Sequence, residues 1–487
     1  MSIKRREFLK TSGKAVTVGA AALALGGKIL GANDRVRVAI CGLRGRGGDH
    51  IKGFEHVANV EIAALCDIDE SVSAKRVAEI EKFGAPTPKT YWDVRKLLED
   101  KQIDAISIAT PNHWHSLMAI WGCQAGKDVY VEKPCSHNTF EGRELVKAVR
   151  KYKRICQHGS QSRSNPGMIE AISRVQDGTI GDTYLARAIC YKWRDTIGRA
   201  SPEPVPAGVH YDLWTGPAPM KPFTKNRFHY NWHWIWDTGN GECGNQAIHE
   251  IDIARWGLGV DWPTSVSAQG GHFMFDDDQE TPNVMNASFY FSGTKSVGAG
   301  SSKSKLVEME IRHWHTNHEA EIGTGAYKSA GVPAAGLESE TAAPKAAAPA
   351  TRNQSAYLGP SLGPKDAKSN TVGNIFYGTK GYLGIDTYDA YKTWIGDDGA
   401  PGPSGRASGD HYQNFVDCIR SRRSEDIHSP IEEAHKSTTL VHLANASYRL
   451  GRTLRFDPVK EEVIGDEEAN RMLRGTYRAP YVVTENM

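Results

Sequence analysis

Val36-Arg37-Val38-Ala39-Ile40-Cys41-Gly42-Leu43-Arg44-Gly45-Arg46-Gly47-Gly48-Asp49-His50 is the stretch on which the fold turns. A short β-rich run ends in glycines and a helix-compatible stretch follows, the opening of a doubly wound parallel sheet. Gly42, Gly45 and Gly47 let the backbone turn tightly and approach a pyrophosphate, whose charge the amides at the helix N-terminus then meet. The spacing departs from G-x-G-x-x-G, since Arg44 stands at the middle glycine.

The next run, Val60 to Cys66, is apolar and ends in Asp67. An acid at that place is expected to hold the ribose 2'-hydroxyl and to repel a 2'-phosphate, which favours NAD over NADP. Arg44 and Arg46 argue the other way, because either can pair with that phosphate or with the pyrophosphate. Two further buried-strand patterns follow. One, from Ile103, stops at Thr110-Pro111-Asn112-His113-Trp114-His115, and the other, Asp128 to Val131, stops at Glu132-Lys133-Pro134. Residues at such carboxyl ends face the ligand crevice of an open α/β sheet. The glycine turn, Thr-Pro-Asn-His and Glu-Lys-Pro, in this order and at these separations, resemble the Gfo/Idh/MocA oxidoreductases, the family of glucose-fructose oxidoreductase and inositol dehydrogenase.

That resemblance implies an α/β fold: an N-terminal Rossmann doubly wound parallel sheet over 34–155, then a C-terminal α+β domain with a large, mainly antiparallel sheet over 156–457. After residue 155 the pattern itself changes to short alternating strands with long polar connections, which fits such a second domain. Residues 323–369 turn to Ala, Gly, Pro, Ser and Lys and read as a low-complexity insert. Residues 458–487 are left as a C-terminal tail.

The resemblance implies bound NAD contacted by Gly42, Arg44, Gly45, Arg46, Gly47, Asp67, Thr110, Pro111, Asn112, His115, Glu132 and Lys133. Catalytic candidates are Lys133, Asn245 and His249. In the resembled family a glycine-rich loop followed by Asp-x-x-x-His contacts the reacting carbinol, and His249 falls on that histidine. Asn245 stands where the family carries aspartate. Helical spacing puts Asn245, His249 and Asp252 on one face. An amide cannot hold negative charge, so His249 loses imidazolium stabilisation and acid/base work passes toward Lys133.

Between 193 and 236 lie Trp193, Trp214, Trp232, Trp234 and Trp236, interleaved with Arg194, Tyr230 and His233. Rings stacked on C–H faces with polar groups between them suit a hydroxyl-rich sugar. Gln161, Arg163, Lys192, Trp193, Arg194, Tyr230, Trp232, His233 and His249 are therefore the substrate candidates. His229 with His233, and the dense run His313, His315, His318, lack a carboxylate in ligand register, so no metal is expected.

The 487-residue chain balances 59 Lys and Arg against 57 Asp and Glu, a net charge of +2 that argues against nucleic-acid binding. Eight scattered cysteines form no C-x-x-C pair, so they suggest neither a disulfide framework nor a thiolate zinc site. The start, Arg5-Arg6-Glu7-Phe8-Leu9-Lys10 followed by a mildly apolar stretch to Leu30 and small residues at Gly31-Ala32, resembles a twin-arginine export signal over 1–33. It implies the twin-arginine machinery as partner and a periplasmic or other extracytoplasmic location, where a nicotinamide cofactor must stay bound and be regenerated in place.

Three activities meet these constraints. The leading one is hydride transfer at a hydroxyl carbon of a sugar, glycoside or polyol. The second is redox-neutral glycoside cleavage by oxidation, elimination and re-reduction, as in the family's NAD-dependent glycosidases. The third is sugar binding on the same scaffold without turnover. A homodimer or tetramer is expected from the family and from symmetry.

Overall fold

The structure, a computed structural model, describes residues 35–293, 304–313 and 370–487. The expected leader at 1–33, the insert at 323–369, and His315 and His318 lie outside the described residues.

The N-terminal half is a six-stranded parallel sheet in the order β3-β2-β1-β4-β5-β6. Its strands are β1 (Val36–Cys41), β2 (Val60–Cys66), β3 (Lys89–Tyr91), β4 (Ala105–Ile108), β5 (Asp128–Val131) and β6 (Cys156–His158). The helices between them are α1 (Arg46–Glu55), α2 (Glu70–Lys82), α3 (Val94–Glu99), α4 (Asn112–Gln124) and α5 (Thr139–Tyr152). β1 and β4 are neighbours although β2 and β3 intervene in sequence, so the strand order reverses between them and their carboxyl ends open a crevice. The inner strands β1, β2, β4 and β5 are mainly apolar because both faces of the sheet are covered, by two separate clusters of core residues.

A boundary at 155 is too early. Val129, Tyr130 and Val131 pair with Cys156, Gln157 and His158, so the nucleotide sheet ends at His158.

The second half is a ten-stranded sheet, β14-β13-β12-β11-β7-β10-β9-β8-β15-β16. In chain order these are β7 (Thr183–Tyr191), β8 (Ser265–Gly271), β9 (Val284–Phe291), β10 (Lys305–Arg312), β11 (Thr371–Gly378), β12 (Gly381–Asp386), β13 (Ala390–Ile395), β14 (Ala400–Arg406), β15 (Leu454–Asp457) and β16 (Glu462–Val463). β7 and β10 run parallel, and the other named pairs of this sheet are antiparallel. One face packs on α6 (Pro166–Gln176), on α8 (Ile248–Leu258), which follows the short α7 (Tyr211–Thr215), and on the long α10 (Ile431–Leu450). On β9 the buried residues alternate strictly with exposed ones, the mark of a strand with one covered face.

The halves are interlocked. α9 (His411–Ser421) returns to the first sheet, where Phe415 and Val416 join the cluster of Ile40 and Phe54. Tyr412 stacks on Tyr130 with ring centroids 5.4 Å apart. The segment expected as a tail carries β16 and α11 (Glu467–Arg474) and buries Leu473, Tyr481 and Val483. All eight cysteines are buried and unpaired, as small apolar core residues.

Candidate active site

The glycine turn is built for close approach. Gly42 has φ +82, and a Cβ there would sit 2.6 Å from the Ala109 carbonyl oxygen at the end of β4. A Cβ on Gly47 would fall 1.8 Å from the Gly42 carbonyl oxygen, so α1 can pack against the turn only without one. Gly45, at φ +35, has open space where a side chain would project. Together they form a backbone cradle at a helix N-terminus, which fits a pyrophosphate. Asp67 lies at the end of β2, its carboxylate accepting from the Leu43 amide at 2.7 Å and the Asp69 amide at 3.0 Å. Burial raises its pKa. Thr110 Oγ1 and Asn112 Oδ1, beside the cradle, are buried without a hydrogen-bond partner among the described residues. These features fit a dinucleotide.

The two arginines of the turn are engaged by carboxylates. Arg44 pairs with Asp69 at 2.6 Å, and Arg46 donates to Glu132 at 2.7 Å. Glu132 is therefore no surface partner of Lys133. It is buried, accepts from Arg46, lies 3.0 Å from His50 Nε2, and takes the Lys133 amide at 3.2 Å. Although burial acts against it, this set, led by the Arg46 charge, holds its carboxyl well below the usual range. His115 is also structural: its ring nitrogens each lie 2.7 Å from a main-chain carbonyl, those of Pro134 and Thr110. It ties the two crevice loops together instead of facing a ligand.

Freed from an ion pair with Glu132, the Lys133 ammonium reaches across the crevice and donates to the Asn245 carbonyl, with Asn245 Oδ1 at 3.4 Å. Burial, together with Arg46 and Lys192, lowers its pKa from 10.5 to about 8 despite Glu132 and Glu242. Asn245 lies in a π-helical turn, Cys243–Ala247, that leads into α8. Such a turn widens the helix and re-aims the side chains on it, so the regular one-face register expected for Asn245, His249 and Asp252 is broken. Asp252 points elsewhere, to Arg163 at 2.7 and 2.8 Å and to Ser437 at 2.6 Å. Arg163 is thus a buried structural cation and not a substrate contact. Gln161, with its amide oxygen turned toward Arg46, accepts from that guanidinium and donates to the Gly159 carbonyl at 2.8 Å, so it too braces the site from behind.

Among the described residues no side-chain hydrogen bond joins His249 to Asn245. Its Nδ1 is buried without a partner among the described residues, and its ring lies 5.2 Å from that of Tyr388. Burial, reinforced by the Lys133 charge, holds it well below its ordinary value, hence neutral. Asn245 instead bridges charges, its Nδ2 lying 3.3 Å from Glu242 Oε1 and 3.5 Å from the Tyr230 hydroxyl. An aspartate at 245 would face Glu242 as a like charge, so an amide suits this position.

Glu242 is the residue that sequence reasoning missed. It is buried, held by Arg194 through two bonds of 2.8 Å, with His313 Nε2 3.1 Å away, and its carboxyl is driven well down. Arg194 also donates to the Tyr230 hydroxyl at 3.1 Å, and Lys192 donates to Gln246 at 2.9 Å. His233 Nδ1 donates to the Tyr230 carbonyl at 2.6 Å, and the ring stacks on Trp232 with centroids 3.5 Å apart. Burial, with the Lys133 charge helping, lowers its pKa to about 3. Trp193 is half-buried, its indole donating to Asp195 at 3.0 Å. Of the substrate candidates, Lys192, Arg194, Tyr230, Trp232, His233 and His249 therefore gather around Lys133 and Asn245 through these contacts. Glu242 stands three residues before Asn245 in the glycine-rich loop, the one signal that could have found it. Among the described residues, no three His, Cys, Asp or Glu side chains gather as a metal site.

A parallel sheet with a glycine cradle and Lys133 at the edge of its crevice, joined to a broad, mainly antiparallel sheet whose α8 and the turn before it carry His249 and Asn245, defines a two-domain nicotinamide-dinucleotide fold. Residues 36–160 match the description "Oxidoreductase family, NAD-binding Rossmann fold", and 180–297 with 401–483 match "Oxidoreductase family, C-terminal alpha/beta domain". The chain belongs to the Gfo/Idh/MocA family of oxidoreductases. The match runs to 483, beyond the 457 at which the sequence resemblance stops.

Curated relatives include a "Glycosyl hydrolase family 109 protein" of Shewanella pealeana, 28% identical over 209 residues, covering 39% of this chain and 46% of the relative. Another, "Glycosyl hydrolase family 109 protein 1" of Shewanella sp. (strain ANA-3), is 30% identical over 210 residues, with 38% and 46% covered. The chain thus spans about half the length of these relatives. Among solved structures, an aldose-aldose oxidoreductase from Caulobacter crescentus complexed with glycerol has a TM-score of 0.57 at 18% identity, covering 87% of this chain and 100% of that one. The WlbA dehydrogenase from Chromobacterium violaceum, in complex with NADH and UDP-GlcNAcA, has a TM-score of 0.58 at 18% identity, covering 87% and 97%. At these identities they share the fold.

Proposed function

We propose that this protein oxidises or reduces a hydroxyl carbon of a sugar, glycoside or polyol with NAD(H) that stays bound, and that it works outside the cytoplasm after twin-arginine export. The observation that carries the catalytic part is Lys133: an ammonium with a pKa of about 8, held on Asn245 at the mouth of the glycine cradle with neutral His249 nearby. When bound, NAD accepts or returns a hydride. Lys133 Nζ takes the proton of the substrate hydroxyl and, in the reverse direction, gives it to the carbonyl oxygen. His249, neutral and anchored on α8, offers a hydrogen bond to orient that hydroxyl. Arg194, Lys192 and Tyr230 supply further polar contacts, and Trp232 with His233 supplies a ring surface for a sugar face. Asp67 and the Asp69-bound Arg44 support NAD over NADP, because a 2'-phosphate would meet one carboxylate and have to displace another.

The redox-neutral glycosidase is the second reading, favoured by the glycoside hydrolase relatives. It needs a further base to remove the proton beside the transient ketone, with His249, Tyr230 or His233 as candidates; the Tyr230 hydroxyl accepts from Arg194 at 3.1 Å, which supports choosing it. One experiment separates the readings: incubate the purified protein with its bound nucleotide and a panel of nitrophenyl glycosides and free sugars, then analyse products. Reduced nucleotide with oxidised sugar supports the first reading, and cleaved but unoxidised glycoside the second. Neither product with any sugar tested would refute the catalytic proposal. For export, fusion of residues 1–33 to a reporter that folds in the cytoplasm, with Arg5-Arg6→Lys-Lys as control, tests location: a signal peptide delivers the reporter only with both arginines.

A further inference from the structure

The segment between β7 and α8 does more than carry substrate candidates: part of it crosses back over the nucleotide half. On one flank it attaches just beyond Asp67. The Glu70 amide donates to the Gly208 carbonyl at 3.0 Å and the His210 amide to the Ile68 carbonyl at 2.9 Å. The His210 ring stacks on Trp92, centroids 5.0 Å apart and planes 13° from parallel, and its Nε2 lies 2.9 Å from Glu70. On the other flank it attaches just beyond Thr110-Pro111-Asn112. Trp114 Nε1 donates to the Leu213 and Trp214 carbonyls at 3.1 and 3.0 Å, His113 Nε2 lies 3.0 Å from the Trp214 carbonyl, and the His113 amide donates to Thr238 at 3.3 Å. Gly216, at φ +48, lets the backbone lie on Trp114, where a Cβ would be 2.3 Å from the indole.

In the order β3-β2-β1-β4, a segment fixed to the end of β2 and to the start of the helix after β4 must pass over the end of β1, where the glycine cradle is. His229 agrees with this path. Its ring is solvent-exposed yet close enough to the Arg44–Asp69 pair to feel both charges, and desolvation first and then the Arg44 charge lower its pKa to about 4. The segment is stiff in its own right: Trp214, Phe223 and Phe228 are buried together, with Ile68 of the nucleotide half packed among them. The C-terminal residues clasp it. Arg478 donates to the Gly216 carbonyl at 2.9 Å, to Asp212 Oδ1 at 2.7 Å and to the Asp212 carbonyl at 2.8 Å, while Tyr481 packs on Trp114.

We propose that residues 208–238 are a wall of the dinucleotide site, roofing the ribose and pyrophosphate and held shut by Trp92 and Arg478, so that bound nucleotide leaves only when this strap lifts. The inference rests on the reading that the chain binds NAD and gives that reading a physical cause for retention. A ligand that leaves only through a minor open state exchanges at a rate set by the population of that state. Weakening a clasp then speeds release without altering any group that touches the ligand.

The test is an exchange experiment on the full chain. The protein with its bound nucleotide is mixed with excess isotope-labelled NAD, and the label in the bound fraction is followed by mass after denaturation. The wild-type chain exchanges slowly. Trp92→Ala, an exposed position where folding is not at stake, and Arg478→Ala each raise the rate about tenfold, the effect of losing a stack or a clasp of roughly one hydrogen bond's net strength. Trp92→Phe, which keeps the stack, restores the slow rate. Exchange at the wild-type rate in both alanine variants, or complete exchange of the wild type within the mixing time, would overturn the strap while leaving NAD binding intact. A folded chain that releases no nucleotide on denaturation and also takes up no labelled NAD would overturn the NAD reading itself, a different and separately visible failure.

Discussion

Lys133→Met separates a desolvated catalytic amine from an ordinary surface lysine. The fall in its pKa from 10.5 to about 8 corresponds to about 3 kcal/mol in favour of the neutral amine. An unfolded chain keeps this lysine charged up to its ordinary value, so between those two limits the unfolded state binds more protons and stability rises with pH. The folded protein therefore carries the whole cost below about pH 8 and sheds it on the way to 10.5. Methionine fills a similar volume without charge. Its gain at neutral pH is that cost less the bond to the Asn245 carbonyl, about 1.5–3 kcal/mol for a charged donor, leaving a net stabilisation of about 0–1.5 kcal/mol. Urea unfolding followed by tryptophan fluorescence, repeated from neutral to strongly alkaline pH, should show that gain shrinking and then reversing as pH rises. Turnover should disappear in the same variant, while wild-type oxidation rises with pH through about 8 and Lys133→Arg stays low throughout. A loss of stability of the same size at every pH, with the pH profile of oxidation centred elsewhere, would refute the assignment.

Gly42→Ala places a Cβ against the Ala109 carbonyl at a positive φ, so it should lower the melting temperature and strip bound nucleotide together, read by thermal melting and by nucleotide content. Arg163→Met leaves Asp252 buried without its cation and should cost about 3–5 kcal/mol in urea unfolding, largely restored by adding Asp252→Leu. A raised KM at unchanged stability would instead return Arg163 to the substrate. Glu250 is buried with one oxygen unpartnered, and burial raises its pKa from 4.5 to about 7. The folded state holds its proton through that interval while the unfolded chain loses it, so stability falls as pH rises from 4.5 to 7. Glu250→Gln should remove that slope, leaving the variant more stable than wild type by about 3 kcal/mol just above pH 7.

What the sequence by itself determined lies in short stretches. Val36–His50 specifies a strand, a turn that only glycine can make, and a helix, because backbone sterics are local. Asp67, Thr110 and Lys133 each end a buried strand, and in a parallel sheet the ends of strands meet at one edge, so their convergence follows from chain order alone. The pairing of charges does not follow from chain order. Arg46 and Glu132 are 86 residues apart, Arg163 and Asp252 are 89 apart, and Arg194 and Glu242 are 48 apart. A cation's role in a site depends on whether burial has already given it a carboxylate, and that is a property of the packed interior. Glu132, His115, Gln161 and Arg163 thus pass from expected ligand contacts to braces, and Glu242 enters unannounced.

The π-helical turn at Cys243–Ala247 is of the same kind: a helical period in the sequence gives no sign of one residue's slip, yet that slip takes Asn245 out of register with the regular helix that carries His249 and Asp252 and leaves it facing Lys133. The strap over the cradle is the largest thing the sequence withheld. Its anchors, Ile68, Trp92, Trp114 and Arg478, lie in four separate parts of the chain, and only the fold brings them to the two flanks of the crevice.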